Sequence, residues 1–293
     1  MAATDLLDPN VLIKLRNIEL VARAVVDGFL TGMHRSPFFG FSLEFAEYRP
    51  YVPGDDPRFI DWNVSARFNH PFSTVFEEER ELTLMLLIDV SGSSLFGTTH
   101  ARKKDIVNEI GAVLSFSAIS NNDKVGVILF TDKIEKFIPP KKGRDHVLYI
   151  VRELLTFTPK GRGTDITEAL RQYNNTTRQR CIAFVLSDFI DSRFEDALKV
   201  AGKKHDVIGI KVYDKMDMQL PAIGVIETED SETGEKKWVD TSDILVRQEY
   251  QENFFAWSQT CKNIFLKAGC DLLHIRTDED YVKVLQKFFV SRN

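Results

Sequence analysis

The sequence predicts an α/β protein built on a doubly wound, mostly parallel sheet, preceded by an N-terminal α+β accessory segment. Three observations carry that expectation. From Leu82 onward, short apolar runs alternate with amphipathic stretches of helical period, the pattern of repeated strand, helix, strand units. Two of the runs, LTLMLLID (82–89) and RCIAFVLSD (180–188), are almost continuously apolar, as strands are when helices cover both sheet faces. Before Leu82 the composition differs: nine of the 22 Phe lie in residues 1–80, with 8 basic and 12 acidic residues, whereas residues 81–293 carry 30 and 31. The expected organisation is therefore 1–80 and 81–293.

In chain order, residues 10–30 place Val11, Leu12, Leu15, Ile18, Val21, Ala22, Val25 and Phe29 at three- and four-residue spacing, which predicts an amphipathic helix ending near Gly32. Residues 41–48 and 72–79 read as short strands flanking a long loop rich in Pro, Gly and Asp. Sheet strands are expected at 82–89, 124–131, 180–188, 206–214 and 271–277. Helices are expected at 101–119, 144–155, 166–177, 193–203, 242–267 and 278–290. The segment 222–239 reads as a hairpin turning at Thr233 and Gly234. The Phe-rich segment is expected to dock an apolar face onto the sheet domain.

Charge and composition exclude several classes. With 38 Lys and Arg against 43 Asp and Glu, the net charge of −5 argues against a nucleic-acid binder that neutralises phosphates. The N-terminus, MAATDLLDPN, lacks the basic and apolar regions of a secretory signal, and no apolar run approaches the roughly 20 residues of a membrane span. Cys181, Cys261 and Cys270 have no metal-type spacing and read as buried free thiols. A reduced, cytoplasmic setting is the expectation.

The chemistry concentrates at the predicted strand ends. IDVSGSS supplies Asp89, Ser91 and Ser93 as Asp-x-Ser-x-Ser at the end of the first sheet strand, where doubly wound sheets bind ligands. A carboxylate with two hydroxyls suits a hard cation such as Mg²⁺, although Asp and Ser at strand ends also serve as caps and turn formers. Thr164, before a helix, and Asp188, at the end of another core strand, are expected on the same edge. This five-residue pattern resembles the metal-ion-dependent adhesion site of the von Willebrand factor type A domain, over roughly residues 80–290. The resemblance implies that Ser91, Ser93 and Thr164 are hydroxyl ligands, with Asp89 and Asp188 contacting the metal directly or through water. It implies Mg²⁺, with Mn²⁺ or Ca²⁺ as alternatives, and a coordination position open to a partner's Asp or Glu. Phe189 departs from the Gly common after the final Asp, which is expected to alter the rim of the site.

The run YRPYVPGDDPRFIDWNVSAR (48–67) closely resembles the signature of a bacterial group, domain-of-unknown-function family 58. That resemblance implies partnership with a MoxR-type AAA+ ATPase in chaperone-like assembly or maturation of client proteins. Within the run, Asp55, Asp56, Arg58, Asp61 and Arg67 alternate in charge around Trp62. They read either as a self-satisfied polar network that pins the loop or as a partner surface, since Trp and Arg are enriched at binding hot spots.

Lys141, Lys142, Arg144, Lys160 and Arg162 read as a solvated surface, or as a patch that steers an acidic partner. His34, His70, His100, His146, His205 and His274 lack the paired spacing of a zinc or catalytic site. Ser91 lacks a Gly-x-Ser-x-Gly elbow, and no P-loop motif occurs anywhere. The expected function is a non-enzymatic, metal-dependent protein-binding module. The competing reading is a metal-dependent phosphohydrolase with Asp89 as nucleophile, in which Ser91 stands where an acid/base Asp would be wanted. A third reading, a scaffold whose site stays empty, predicts that Mg²⁺ or Mn²⁺ leaves the melting temperature unchanged.

Overall fold

A computed structural model of the chain describes residues 44–77, 82–97, 102–191, 193–231 and 233–292. The helix expected at 10–30 lies outside these residues, as do Phe29, Phe38, Phe39, Phe41, His34 and His100. The described residues fall into two compact units that divide at Leu82.

In the smaller unit, β1 (Glu44–Pro50) pairs antiparallel with β2 (Phe72–Glu77), with Tyr48 opposite Thr74 and Arg49 opposite Ser73. The sequence between them is more ordered than a loop. Asp56 caps a 3₁₀ turn at Pro57–Phe59, and Asp61 caps helix α1 (Trp62–Phe68), which ends at Asn69 in the left-handed region, φ 58°. The Ser65 hydroxyl donates to the Asp61 carbonyl at 2.6 Å and accepts from the Phe72 N–H at 2.8 Å, tying the helix to β2. Phe68 is 63% exposed, its ring 5.2 Å from that of Phe72.

The larger unit carries the expected doubly wound sheet. Its strands are β3 (Thr83–Asp89), β4 (Lys124–Phe130), β5 (Ile134–Lys141), β6 (Ile182–Ser187), β7 (Asp206–Tyr213) and β10 (Asp271–Arg276), ordered β10-β7-β6-β3-β4-β5. Every neighbouring pair is parallel except β4 with β5. The edge strand β5 is absent from the sequence-based expectation. Its residues IEKFIPPK include two prolines, which mask a strand signal and are tolerated at an edge.

Helices cover both faces, which is why β3, β4 and β6 are buried from end to end beyond their first residue. Met85, Leu87, Ile128 and Val185 pack on one side against α4 (Ile166–Thr176), α5 (Glu195–Lys204) and α7 (Ile244–Ala268). On the other side, Leu86 and Ile88 meet Gly111 of α2 (Lys103–Ser120) and Leu154 of α3 (Arg144–Thr156). Phe184 meets Phe289 of α8 (Tyr281–Arg292) there, at 6.2 Å between rings. A four-residue helix, α6 (Lys215–Met218), follows β7. The expected hairpin is β8 (Val225–Glu229) paired with β9 (Lys236–Asp240), turning through Asp230 and Gly234.

Sequence order reverses on either side of β3: β4 and β5 extend one way, β6, β7 and β10 the other. The adjacent C-terminal ends of β3 and β6 therefore form the crevice of a doubly wound sheet. Asp89 and Asp188 stand at those two ends.

Candidate functional site

Asp89 is the last residue of β3 and is buried. Its Oδ1 accepts the Ser91 N–H at 2.9 Å and its Oδ2 accepts the Ser187 hydroxyl at 2.6 Å. Burial, followed by repulsion from Asp188, pushes the carboxyl up to about 7, while the bonds from Ser187 and Ser91 work against that rise. The chain then turns through a 3₁₀ segment, Gly92–Leu95, which Ser91 precedes and which carries Ser93 and Ser94. Ser91 and Ser93 are buried with their Oγ atoms 3.0 Å apart, and Ser94 Oγ donates to the Ser91 carbonyl at 2.7 Å.

Thr164 comes from the loop before α4, beside the end of β4, and three anchors hold that loop. Gly92 donates its N–H to the Arg162 carbonyl at 2.9 Å, and Asp165 donates to the Thr131 carbonyl at 2.9 Å while capping α4 through the Glu168 N–H. Glu135 on β5 accepts from the N–H groups of Lys160 and Gly161 and from the Thr131 hydroxyl. Burial pushes the Glu135 carboxyl up, but the bonds from Gly161, Thr131 and Lys160 outweigh it and hold the carboxyl below the usual range. Glu135 was not foreseen from sequence because β5 itself was not.

The structure thus gathers the predicted residues to differing degrees. Asp89, Ser93 and Asp188 line one pocket with Ser94, Lys103, Val107, Ser187 and Val212. Ser91 joins through its contact with Ser93. Thr164 Oγ1 is buried without a hydrogen-bond partner, and so is Asp188 Oδ1. Among the described residues no group of three or more His, Cys, Asp or Glu is placed to hold a metal; the oxygens gathered around the pocket are hydroxyls and two carboxylates. Such an all-oxygen set is of the kind hard divalent cations take.

Sequence reasoning missed a cation beside this pocket. Lys103, the first residue of α2, is 4% exposed, with Nζ 3.3 Å from Asp188 Oδ2 and 3.2 Å from Asp217 Oδ2 on α6. Burial opposes its charge, but Asp188 and Asp217 outweigh burial and raise its pKa. Nothing local in RKKD (102–105) marks which lysine faces inward. Ser187 was equally inconspicuous, although it precedes Asp188 directly.

Two contacts shape the surroundings. An ideal Cβ on Gly92 would lie 2.5 Å from the Ser231 carbonyl oxygen in the β8–β9 turn, so only glycine fits between that turn and the Thr164 loop. Phe189 adopts φ 54° and is fully buried, its ring 5.2 Å from Phe265 and 5.8 Å from Phe194. That corrects the expectation that Phe189 alters the rim: its left-handed backbone turns the side chain into the core, and its carbonyl accepts from Trp257 Nε1 at 2.7 Å.

In the smaller unit, the residues singled out in the run 48–67 mostly satisfy one another. Asp55 accepts from Arg49 at 2.7 Å and from the Val52 N–H at 3.0 Å, and Arg58 binds both carboxylate oxygens of Asp56. Asp61 is spent on capping α1. Trp62 is 70% exposed, and Arg67 is exposed as well. Lys141, Arg144, Lys160 and Arg162 are solvent-facing and Lys142 is half-buried. Cys181 and Cys261 are buried free thiols, and Cys270 is half-buried. His205 is buried against Tyr173 and Cys181, and the His146 ring lies 2.9 Å from the Val125 carbonyl oxygen. Among the described residues no helix is long and apolar enough to cross a membrane.

Comparison with known proteins places the chain. An uncharacterized protein of Mycobacterium bovis is 30% identical over 295 residues, covering 100% of this chain and 93% of the relative. An uncharacterized protein of Mycobacterium avium is 27% identical over 158 residues, covering 53% and 93%. The crystal structure of an aerotolerance-related membrane protein from Bacteroides fragilis shares the fold, with a TM-score of 0.51 at 15% identity over 72% of this chain and 99% of that one. The family model described as protein of unknown function DUF58 matches residues 47–259, and this chain belongs to that family.

Proposed function

We propose that the chain is a metal-dependent protein-interaction module that works beside a MoxR-type AAA+ ATPase in chaperone-like assembly or maturation of client proteins. The observation that supports the metal part is the buried, unpartnered Asp188 Oδ1 in the pocket that Asp89 and Ser93 also line, together with a second buried, unpartnered oxygen, Thr164 Oγ1, in the loop that bonds Gly92. A buried oxygen without a partner costs about 1–3 kcal/mol, and a cation that both oxygens ligate removes that cost. Asp89, Ser91, Ser93, Thr164 and Asp188 would hold the ion, with Mg²⁺ the first choice and Mn²⁺ or Ca²⁺ alternatives. When bound, a dication held largely by neutral hydroxyls supplies an electrophilic centre for an acidic side chain of the client or the ATPase.

The chain's own groups prepare that surface. Asp89 fixes the serine turn through the Ser91 N–H, and Glu135 fixes the Thr164 loop. Trp62 and Arg67, both exposed on the smaller unit, are the side chains offered to a partner in this reading. The sequence carries no P-loop, so the energy for remodelling comes from the ATPase. The phosphohydrolase reading fits less well, because Ser91 stands two residues after Asp89, where an acid/base Asp would be wanted.

The deciding experiment is co-purification of the full chain with the ATPase in nucleotide, with Mg²⁺ or with EDTA. Retention lost in EDTA supports the reading, whereas retention indifferent to EDTA overturns the metal part. Turnover of a generic phosphate ester above background in Mg²⁺ would favour the enzyme instead.

A further inference from the structure

Lys103 stands where a lysine is costly twice over. It is almost fully buried, and it opens α2, whose N-terminus already carries positive potential. Two carboxylates from different elements compensate it: Asp188 at the end of β6, and Asp217 on α6. Its ammonium takes Asp188 Oδ2, while Asp188 Oδ1 is left without a partner in the same pocket. The Phe96 ring lies 5.8 Å from Nζ and helps enclose it.

We propose that Lys103 is a tethered counter-cation of the centre, holding Asp188 when no divalent ion is bound and competing with that ion for the same carboxylate. This rests on the reading of Asp89, Ser91, Ser93, Thr164 and Asp188 as a divalent-cation site. Lys103 is then a residue that sets affinity, and Asp217 is the second anchor that lets the ammonium share its charge away from Asp188. Two charge changes shift affinity in opposite directions. Removing the ammonium takes a positive charge out of a site that receives a dication, so binding tightens. Removing the Asp217 charge commits the ammonium to Asp188, so binding weakens. A lysine that merely supported the fold would weaken binding in both variants.

The test is calorimetric titration of the full chain with Mn²⁺ and with Mg²⁺, comparing wild type, Lys103→Met, Lys103→Arg and Asp217→Asn. Lys103→Met is expected to bind about tenfold tighter, the scale of one partly screened charge a few ångströms away. Lys103→Arg, which keeps the charge, stays near wild type, and Asp217→Asn binds more weakly. Equal affinity in wild type and Lys103→Met overturns the competition and leaves the metal centre standing. Absence of binding in wild type and Lys103→Met alike removes the centre and the proposal together. Should Lys103→Met fail to fold, Asp217→Asn decides, since unchanged or tighter binding there overturns the proposal.

Discussion

The Ser231 carbonyl oxygen occupies the space that a side chain on residue 92 would need, 2.5 Å from an ideal Cβ. The β8–β9 turn therefore rests on the middle of the Asp-x-Ser-x-Ser segment, between the two serines proposed as ligands. Gly92→Ala forces that turn away. The expected cost is about 1–3 kcal/mol in chemical denaturation, the range for inserting an atom into a packed contact. Faster hydrogen exchange across 230–235 is the local signature. Exchange unchanged there would show that the turn does not bear on Gly92 in solution.

Metal addition is expected to raise the melting temperature of the wild-type chain. Ligand at about 100 times its Kd contributes about 2.7 kcal/mol. Asp89→Ala removes a donor and frees the Ser91 N–H and the Ser187 hydroxyl. The variant should show no rise with Mg²⁺ or Mn²⁺ and no EDTA-sensitive partner binding. An equal rise in both proteins sinks the assignment of Asp89.

Trp62 is expected to matter for binding and hardly at all for folding. At 70% exposure its removal loses little packing, so Trp62→Ala should stay within about 0.5 kcal/mol of wild type. Capture by the ATPase should fall by about tenfold or more if Trp62 is an anchor. Full capture with full stability would place the partner surface elsewhere.

Phe189 pits backbone against core. Its left-handed φ of 54° favours glycine, yet its ring packs against Phe194 and Phe265. Phe189→Gly relieves about 1–2 kcal/mol of backbone strain and forfeits about 3–5 kcal/mol of packing. A net loss of about 2–3 kcal/mol is expected by urea denaturation. A stabilised variant would mean that the aromatic cluster contributes far less than its burial implies.

Acidification separates two opposing contributions. His205 is held below the ordinary imidazole pKa by burial, then by Lys204 and Arg180, and His274 by burial, then by Lys211 and Lys262. The unfolded chain takes up these protons near pH ~6.5 and the folded chain resists them, so their contribution is full above that pH and lost as pH falls below it. Asp89 acts in the opposite sense. Its carboxyl is raised from 3.8 to about 7, so its protonated form favours the folded state; that contribution is full below the ordinary carboxylate pKa and is lost as pH rises from there through about 7. The histidine part is read by difference: His205→Leu should lose less stability than wild type between pH 7.5 and 5.5. Equal losses would mean that His205 is protonated as readily folded as unfolded.

Much of the fold was legible because local pattern and tertiary environment agree. The apolar runs of β3, β4 and β6 are continuous because each is covered on both faces, so burial is written directly into composition. Where the two part company, sequence reasoning slipped. The edge strand β5 carries Pro139 and Pro140, which read as loop until an antiparallel neighbour is supplied. The helix α1 hid inside a segment whose Pro, Gly and Asp spell turns, because its start depends on the single Asp61 cap.

The candidate site divides the same way. The sequence by itself determined which oxygens stand at the ends of β3 and β6, because the last residue of a strand stays at the sheet edge whatever surrounds it. It determined the family too, through the run between β1 and β2. Only the tertiary structure decided that Lys103 faces Asp188 from 85 positions away in the chain, that Glu135 secures the Thr164 loop, and that Phe189 turns inward. Those pairings depend on which helix and which strand lie side by side. Local propensity carries no information about a neighbour that the chain brings up only after folding.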